Sequence, residues 1–267
     1  MLLAPSLLRA LTDGGHVKAN YRDRELPFPF GVLVLAAALL ALIPLMLVQV
    51  LGSGDVFHPE VLPIAIYALG VIALGLLDDT LGEPRAGASL RRGWRGHGAA
   101  VLRGEFSTGA LKAGGSLGLA LLATSLLGLS NGRWLLASAV LVVATNVFNL
   151  LDLRPGRAGK AFVGLGLGLS VGSGQLRPLW SLGLFVAPSL VAWLYDLRER
   201  AMLGDTGANL IGALAGLWLV LSVSQTGQIV ALALLVAFTI YAEIRSISGL
   251  IERTPGLREL DSWGRPS

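Results

Sequence analysis

The sequence predicts an all-α, polytopic helical membrane protein with about eight transmembrane helices, and three observations carry that reading. Of its 267 residues, 54% are hydrophobic and 14% charged, against about 25% charged in an ordinary soluble domain. The mean hydropathy is +0.69. Apolar stretches of about 20 residues, long enough to cross a hydrocarbon core, recur along the chain. Cysteine is absent and the three histidines, His16, His58 and His97, lie far apart. Disulfides, thiolate metal centres and a histidine-rich zinc site are thereby excluded.

Seven spans are expected at 30–51, 61–77, 110–129, 133–151, 178–195, 206–224 and 228–243. The segment 161–173 is apolar but short and glycine-rich. It counts as an eighth crossing because the sidedness of every later loop depends on it. Residues 1–11 make a truncated or interfacial first segment. The tail 244–267 is expected to be interfacial and amphipathic, with Ile244, Ile247, Leu250 and Ile251 along one side. The chain 1–267 is thus expected to form a single integral membrane domain.

With eight crossings, 19 of the 21 basic residues fall on one face, in or beside loops at about 11–28, 79–109, 152–160 and 196–205 and in the tail 244–267. Only Arg133 and Arg177 remain opposite. By the positive-inside rule the charged face is cytoplasmic in a cell membrane. The pI near 9.8 then needs no nucleic-acid partner. Fifteen of the 17 acidic residues share that face, which suits chemistry better than plain attraction to anionic lipid.

Three polar clusters stand on it. Asp78 and Asp79 end the second span, although carboxylates at a helix C-terminus are unfavourable by a few tenths to about 1 kcal/mol each. Such a pair can bind a cation or act as base or nucleophile. Asn146, Asn149 and Asp152 recur every third residue at the end of the fourth span, along one side of its last turns, where they either hold the bundle or bind a ligand. Arg154, Arg157 and Lys160 follow as a compact cationic loop that either clamps phosphate or obeys the topology rule. Asp205 in LGDTGAN stands at the start of the seventh span, where aspartate is a good N-cap, with Asn209 one turn on.

Taken in order, KANYRDRELPFPFG, LLDDTLG, GALK, NVFNLLD and MLGDTGAN resemble the polyprenyl-phosphate N-acetylhexosamine-1-phosphate transferase superfamily. That group includes phospho-N-acetylmuramoyl-pentapeptide transferase and the glycosyltransferase family 4 enzymes. The resemblance covers roughly residues 18–212. It implies a polytopic enzyme of cell wall biogenesis that moves a sugar 1-phosphate from a UDP-sugar to undecaprenyl phosphate with Mg2+, releasing UMP. Carried over, it makes Asp78 and Asp79 catalytic and Asp205 the metal ligand. Substrate binding falls to Asn149 and Asp152, with Lys112 and Asn20 of the first motif; in a divergent transferase the basic loop Arg154, Arg157 and Lys160 is expected to join them by contacting phosphates that other members meet differently. The partners implied are polyprenyl phosphate, a UDP-sugar and the membrane, with a homodimer as a possible assembly.

The chain also departs from the pattern. LRPGRAGK replaces the acidic glycine-rich loop after Asp152, the lysine usual after the aspartate pair is missing, and no histidine follows His97. The alternative reading is a non-catalytic relative that binds polyprenyl phosphate or a partner in cell-envelope glycan assembly. A secondary transporter would want charged or broken elements near the midplane, and apart from the glycine-rich segment none is visible.

Overall fold

Apolar helices of bilayer length build nearly the whole molecule. The computed structural model describes residues 3–52, 56–82, 108–129 and 132–266; most of the loop expected at 79–109 lies outside the described residues. The elements are α1 (Leu3–Asp13), a hairpin of β1 (Val17–Ala19) and β2 (Glu25–Pro27), α2 (Val32–Leu51), α3 (Val61–Leu81), α4 (Thr108–Leu126), α5 (Arg133–Leu151), α6 (Arg157–Ser173), α7 (Arg177–Leu197), α8 (Gly204–Ser222), α9 (Gln225–Ile244), α10 (Ile247–Arg253) and α11 (Pro255–Ser262). Seven of them, α2, α3, α4, α5, α7, α8 and α9, are long and apolar enough to cross a membrane. The protein is a multi-pass membrane protein of the all-α class.

The glycine-rich segment is an unbroken helix, α6, of 17 residues, about 25 Å at 1.5 Å per residue. Its two ends lie on opposite faces. α6 begins beside the end of α5, on the face that carries Asp78 and Asp79. It leads into Arg177, which pairs with Glu60 at the start of α3, the far end from the aspartates. A 17-residue helix therefore traverses the bundle.

α8 is the central element, its side chains buried from Thr206 to Val220. It packs against α3, α5, α6 and α7, while α2 and α9 expose most of their apolar surface. Small residues let the backbones approach, as is usual where no hydrophobic force acts between helices in lipid. At Gly212 an added Cβ would stand 2.6 Å from Thr145 Cα on α5. Paired hydroxyls tie the neighbours: Tyr67 on α3 with Thr145 on α5 at 3.0 Å, and Thr124 on α4 with Ser138 on α5 at 2.8 Å.

On the face opposite the aspartates, Arg177 donates two bonds to Glu60, of 2.8 and 2.9 Å, and Ser181 Oγ donates a third of 2.9 Å. The guanidinium bonds hold the Glu60 carboxyl down to about 2 against the opposing effect of burial. This clasp joins the starts of α3 and α7. Gly212→Ala should lower thermal stability by about 1–3 kcal/mol, the range for overpacking a tight contact, because the atom it meets is backbone. Helical circular dichroism of the detergent-solubilised protein would measure it.

Candidate functional site

The site begins with the close approach of α3 to the first turn of α8. A Cβ on Gly75 would stand 2.6 Å from the Asp205 carbonyl oxygen and 2.7 Å from Thr206 Cα, so only glycine permits the contact. One turn further, Asp79 reaches the exposed amides of α8. Its Oδ1 accepts from Asp205 N at 2.9 Å; its Oδ2 accepts from Thr206 N at 2.8 Å and from Thr206 Oγ1 at 2.6 Å. The first amides of a helix have no partner within it, and here a carboxylate from another helix supplies one. Gly204 completes the joint with φ +70°, and a Cβ there would meet Asp79 Oδ2 at 2.6 Å.

This corrects the expectation that Asp205 caps its own helix. α8 starts at Gly204, so Asp205 is already helical, and the capping oxygens come from Asp79. The Asp205 side chain is released for other work. It contacts Lys112 Nζ, which also donates to Asp78 Oδ2 at 3.0 Å. Asn149 closes the group: in the amide orientation that satisfies its neighbours, it donates to Asp205 Oδ1 at 3.3 Å and accepts from Lys112 Nζ at 3.3 Å. Asp78 and Asp205 thus share the Lys112 ammonium. Four helices, α3, α4, α5 and α8, thus each contribute one side chain to a half-buried cluster of one ammonium, one amide and two carboxylates.

Asp152 caps the C-terminus of α5 beside this cluster. Burial raises its carboxyl well above the usual range, and the charges of Asp196, Asp205 and Asp79 add to the rise. Asp196 is buried on α7 and its Oδ2 accepts from Gly156 N at 2.6 Å, fixing the loop that follows Asp152. Sequence reading passed over Asp196 and Glu199 because YDLRER looks like any charged loop after a span. Asn209 is buried one turn below Asp205, and its Nδ2 has no partner among the described residues.

Could the cluster hold a divalent cation? Among the described residues no three His, Cys, Asp or Glu side chains converge. Mg2+, however, is commonly held by one or two carboxylates plus substrate phosphates. The oxygens of Asp78, Asp205 and Asn149 fit that donor set, and their carboxylates outnumber the single ammonium.

The remaining expected site residues lie in two other networks. Asn20 organises the hairpin turn: its Oδ1 accepts from Arg22 N at 2.8 Å and Arg24 N at 3.1 Å, and its Nδ2 donates to Glu199 at 3.4 Å. Tyr21 also donates to Glu199, at 2.9 Å. The chain after the hairpin pairs with the approach to α8, Met202 N donating to Pro27 O at 3.0 Å and Phe30 N to Met202 O at 2.8 Å. This docks the first motif against LGDTG. It also stacks Lys18 Nζ 4.1 Å above the Phe28 ring, within electrostatic range of Asp79.

The basic loop is engaged by the C-terminal tail. Arg157 grips the Asp261 carboxylate with two bonds of 2.9 and 3.0 Å. Lys160 donates to the Leu260 and Asp261 carbonyls at 3.0 and 2.6 Å, and Arg154 lies 3.8 Å from Glu252 and stacks on Tyr21. Arg265 in turn donates to Pro155 O at 2.8 Å. The tail, expected to be interfacial and amphipathic, forms two short helices folded back onto residues 154–160, with Ile247 buried and Ile244 the last residue of α9. Burial would raise the Asp261 carboxyl, but the hydrogen bonds from Arg157 and Arg265 prevail and hold it down to about 2.

Asp79→Ala should cost about 0.5–2 kcal/mol of stability, the range for losing an N-cap, whereas Asp78→Asn should change the melting temperature little because Lys112 keeps Asp205. Thermal unfolding of the two variants side by side checks this. Asp261→Ala should free the tail and speed trypsin cleavage after Arg253 and Arg258, whose side chains are exposed but whose backbone is held in the docked helices. Because the Asp261 pKa is depressed in the folded protein, its contribution to docking is complete above the unfolded value near 4. That contribution is lost only as pH falls through about 2, so the trypsin pattern of the native tail should not change between pH 5 and 8. No family model, curated protein or solved structure matches the chain.

Proposed function

We propose that the protein is a transferase that moves a sugar 1-phosphate from a UDP-sugar to polyprenyl phosphate at the cytoplasmic face of the cell membrane, releasing UMP, as a divergent member of the superfamily its motifs resemble. One observation carries this reading: Asp78, Lys112, Asn149 and Asp205, far apart in sequence, converge at the end of an apolar bundle. A lipid-linked phosphate can reach that position from the membrane while a nucleotide approaches from water. The charge asymmetry of the loops supports a cytoplasmic position for the same face.

In the reaction an oxygen of the lipid phosphate attacks the β-phosphorus of the UDP-sugar. The bond from that phosphorus to the bridging oxygen breaks, and the electron pair leaves with UMP. Asp205 with Asn149 would hold Mg2+, which when bound would supply charge neutralisation at the pyrophosphate. Lys112 places an ammonium against the migrating phosphate, where phosphoryl transfer most needs positive charge. Asp78 accepts the proton of the lipid phosphate and keeps the attacking oxygen ionised. Asp79, with both oxygens engaged by α8, is a positioning residue that fixes the direction of Asp205.

Purified protein with Mg2+, polyprenyl phosphate and a panel of UDP-N-acetylhexosamines should release UMP. Asp205→Asn should lower the rate by about 100-fold or more, the scale of losing one charge-stabilising group, with an unchanged melting temperature. Absence of UMP release across the panel, or full activity with Asp78, Asp79 and Asp205 all changed to asparagine, would overturn the proposal.

A further inference from the structure

Lys112 does more in this geometry than wait for a phosphate. Its ammonium stands between the Asp78 and Asp205 carboxylates and accepts no competitor there, since Asn149 Oδ1 faces it as well. These three oxygens are the same donors a divalent cation would need. A lysine ammonium is a compact point charge with three donors on a flexible four-carbon stem, so it can satisfy two carboxylates and an amide at once and still withdraw. Resting on the transferase reading of this cluster, we propose that Lys112 is a tethered cation that holds the metal position when the site is empty, and that a divalent cation enters as its complex with a nucleoside diphosphate.

The charges of the cluster support the pairing. One ammonium and two carboxylates leave a single net negative charge, and Asp79 is already compensated by the amides of α8. Free metal gains two carboxylates only by expelling Lys112, whose ammonium is then left half-buried beside a divalent ion of like charge. A metal–diphosphate complex brings anionic oxygens with it. Lys112 then exchanges its carboxylate partners for phosphate oxygens within reach of the same stem, and no charge is stranded. The ligand class selected is therefore the metal–nucleotide complex over the free ion, with the lysine as the selecting element.

The experiment uses the full chain in detergent and Mn2+ as probe, with protein-bound metal and nucleotide read by equilibrium dialysis, which separates them from Mn2+ complexed by UDP in solution. Wild type should bind Mn2+ alone weakly and Mn2+ with UDP well. Lys112→Met should bind Mn2+ alone about ten-fold tighter, since an opposing charge is gone, and gain less from UDP than wild type gains. Lys112→Arg keeps the charge and should stay as weak as wild type toward Mn2+ alone, which guards against misreading a poorly folded methionine variant. Adding Asp205→Asn to Lys112→Met should abolish the new affinity. Unchanged or weaker Mn2+ binding by Lys112→Met, equal tightening in Lys112→Arg, or persistence of the gain without Asp205 would each overturn the exchange. The two readings fail separately: UMP release by wild type with no Lys112 effect on Mn2+ sinks the exchange alone, and intact exchange without UMP release from any UDP-sugar sinks the transferase alone.

Discussion

The buried N-terminus of α8 is the constraint around which the rest is arranged. A helix that starts inside a bundle exposes amide donors where water is scarce, and an unsatisfied amide in such surroundings costs several kcal/mol on the scale of apolar transfer. Asp79 removes that cost by accepting from Asp205 N and Thr206 N. The cap in turn demands that α3 come close, which Gly75 permits, and that the chain turn sharply into the helix, which Gly204 permits. A carboxylate at the C-terminus of α3 is unfavourable for α3 itself. It is kept because the positive end of α8 lies against it.

From that joint the polar cluster follows. With its backbone amide capped by Asp79, Asp205 is free to turn its side chain toward α4 and α5, where Lys112 and Asn149 meet it. Three half-buried charges in one place would be costly singly. Together they satisfy one another, Lys112 pairing with both carboxylates.

A second network, around Asp261, steadies the ground beside the cluster. Arg157 and Arg265 grip its carboxylate, Arg265 reaches Pro155, and Asp196 holds Gly156. The segment after Asp152 is thereby clamped from the tail on one side and from α7 on the other. Its basic side chains neutralise the tail. Lys112 carries the positive charge within the aspartate cluster, and Lys18 stands within electrostatic range of it.

Much of this protein is written locally in its sequence. Hydrophobic run length determines that it crosses a membrane, and the loop charges single out one face, because both depend on transfer free energies that each segment meets by itself. The residues Asp78, Asn149, Asp152 and Asp205 could be singled out because polar groups at the ends of apolar helices are conspicuous in one dimension, whereas Lys112 was legible only through the resemblance of its motif. Partners could not be read that way. Asp79 and Asp205 are 126 positions apart, and Arg157 and Asp261 are separated by 104. Whether an aspartate caps its own helix or a neighbour's, and whether a basic loop faces open water or its own tail, depends on which helices pack together. Only the tertiary structure decided that, because hydrogen bonds and ion pairs of a few ångströms are set by the approach of backbones, and α8 meets α3 through small residues whose role is invisible until the partner is in place.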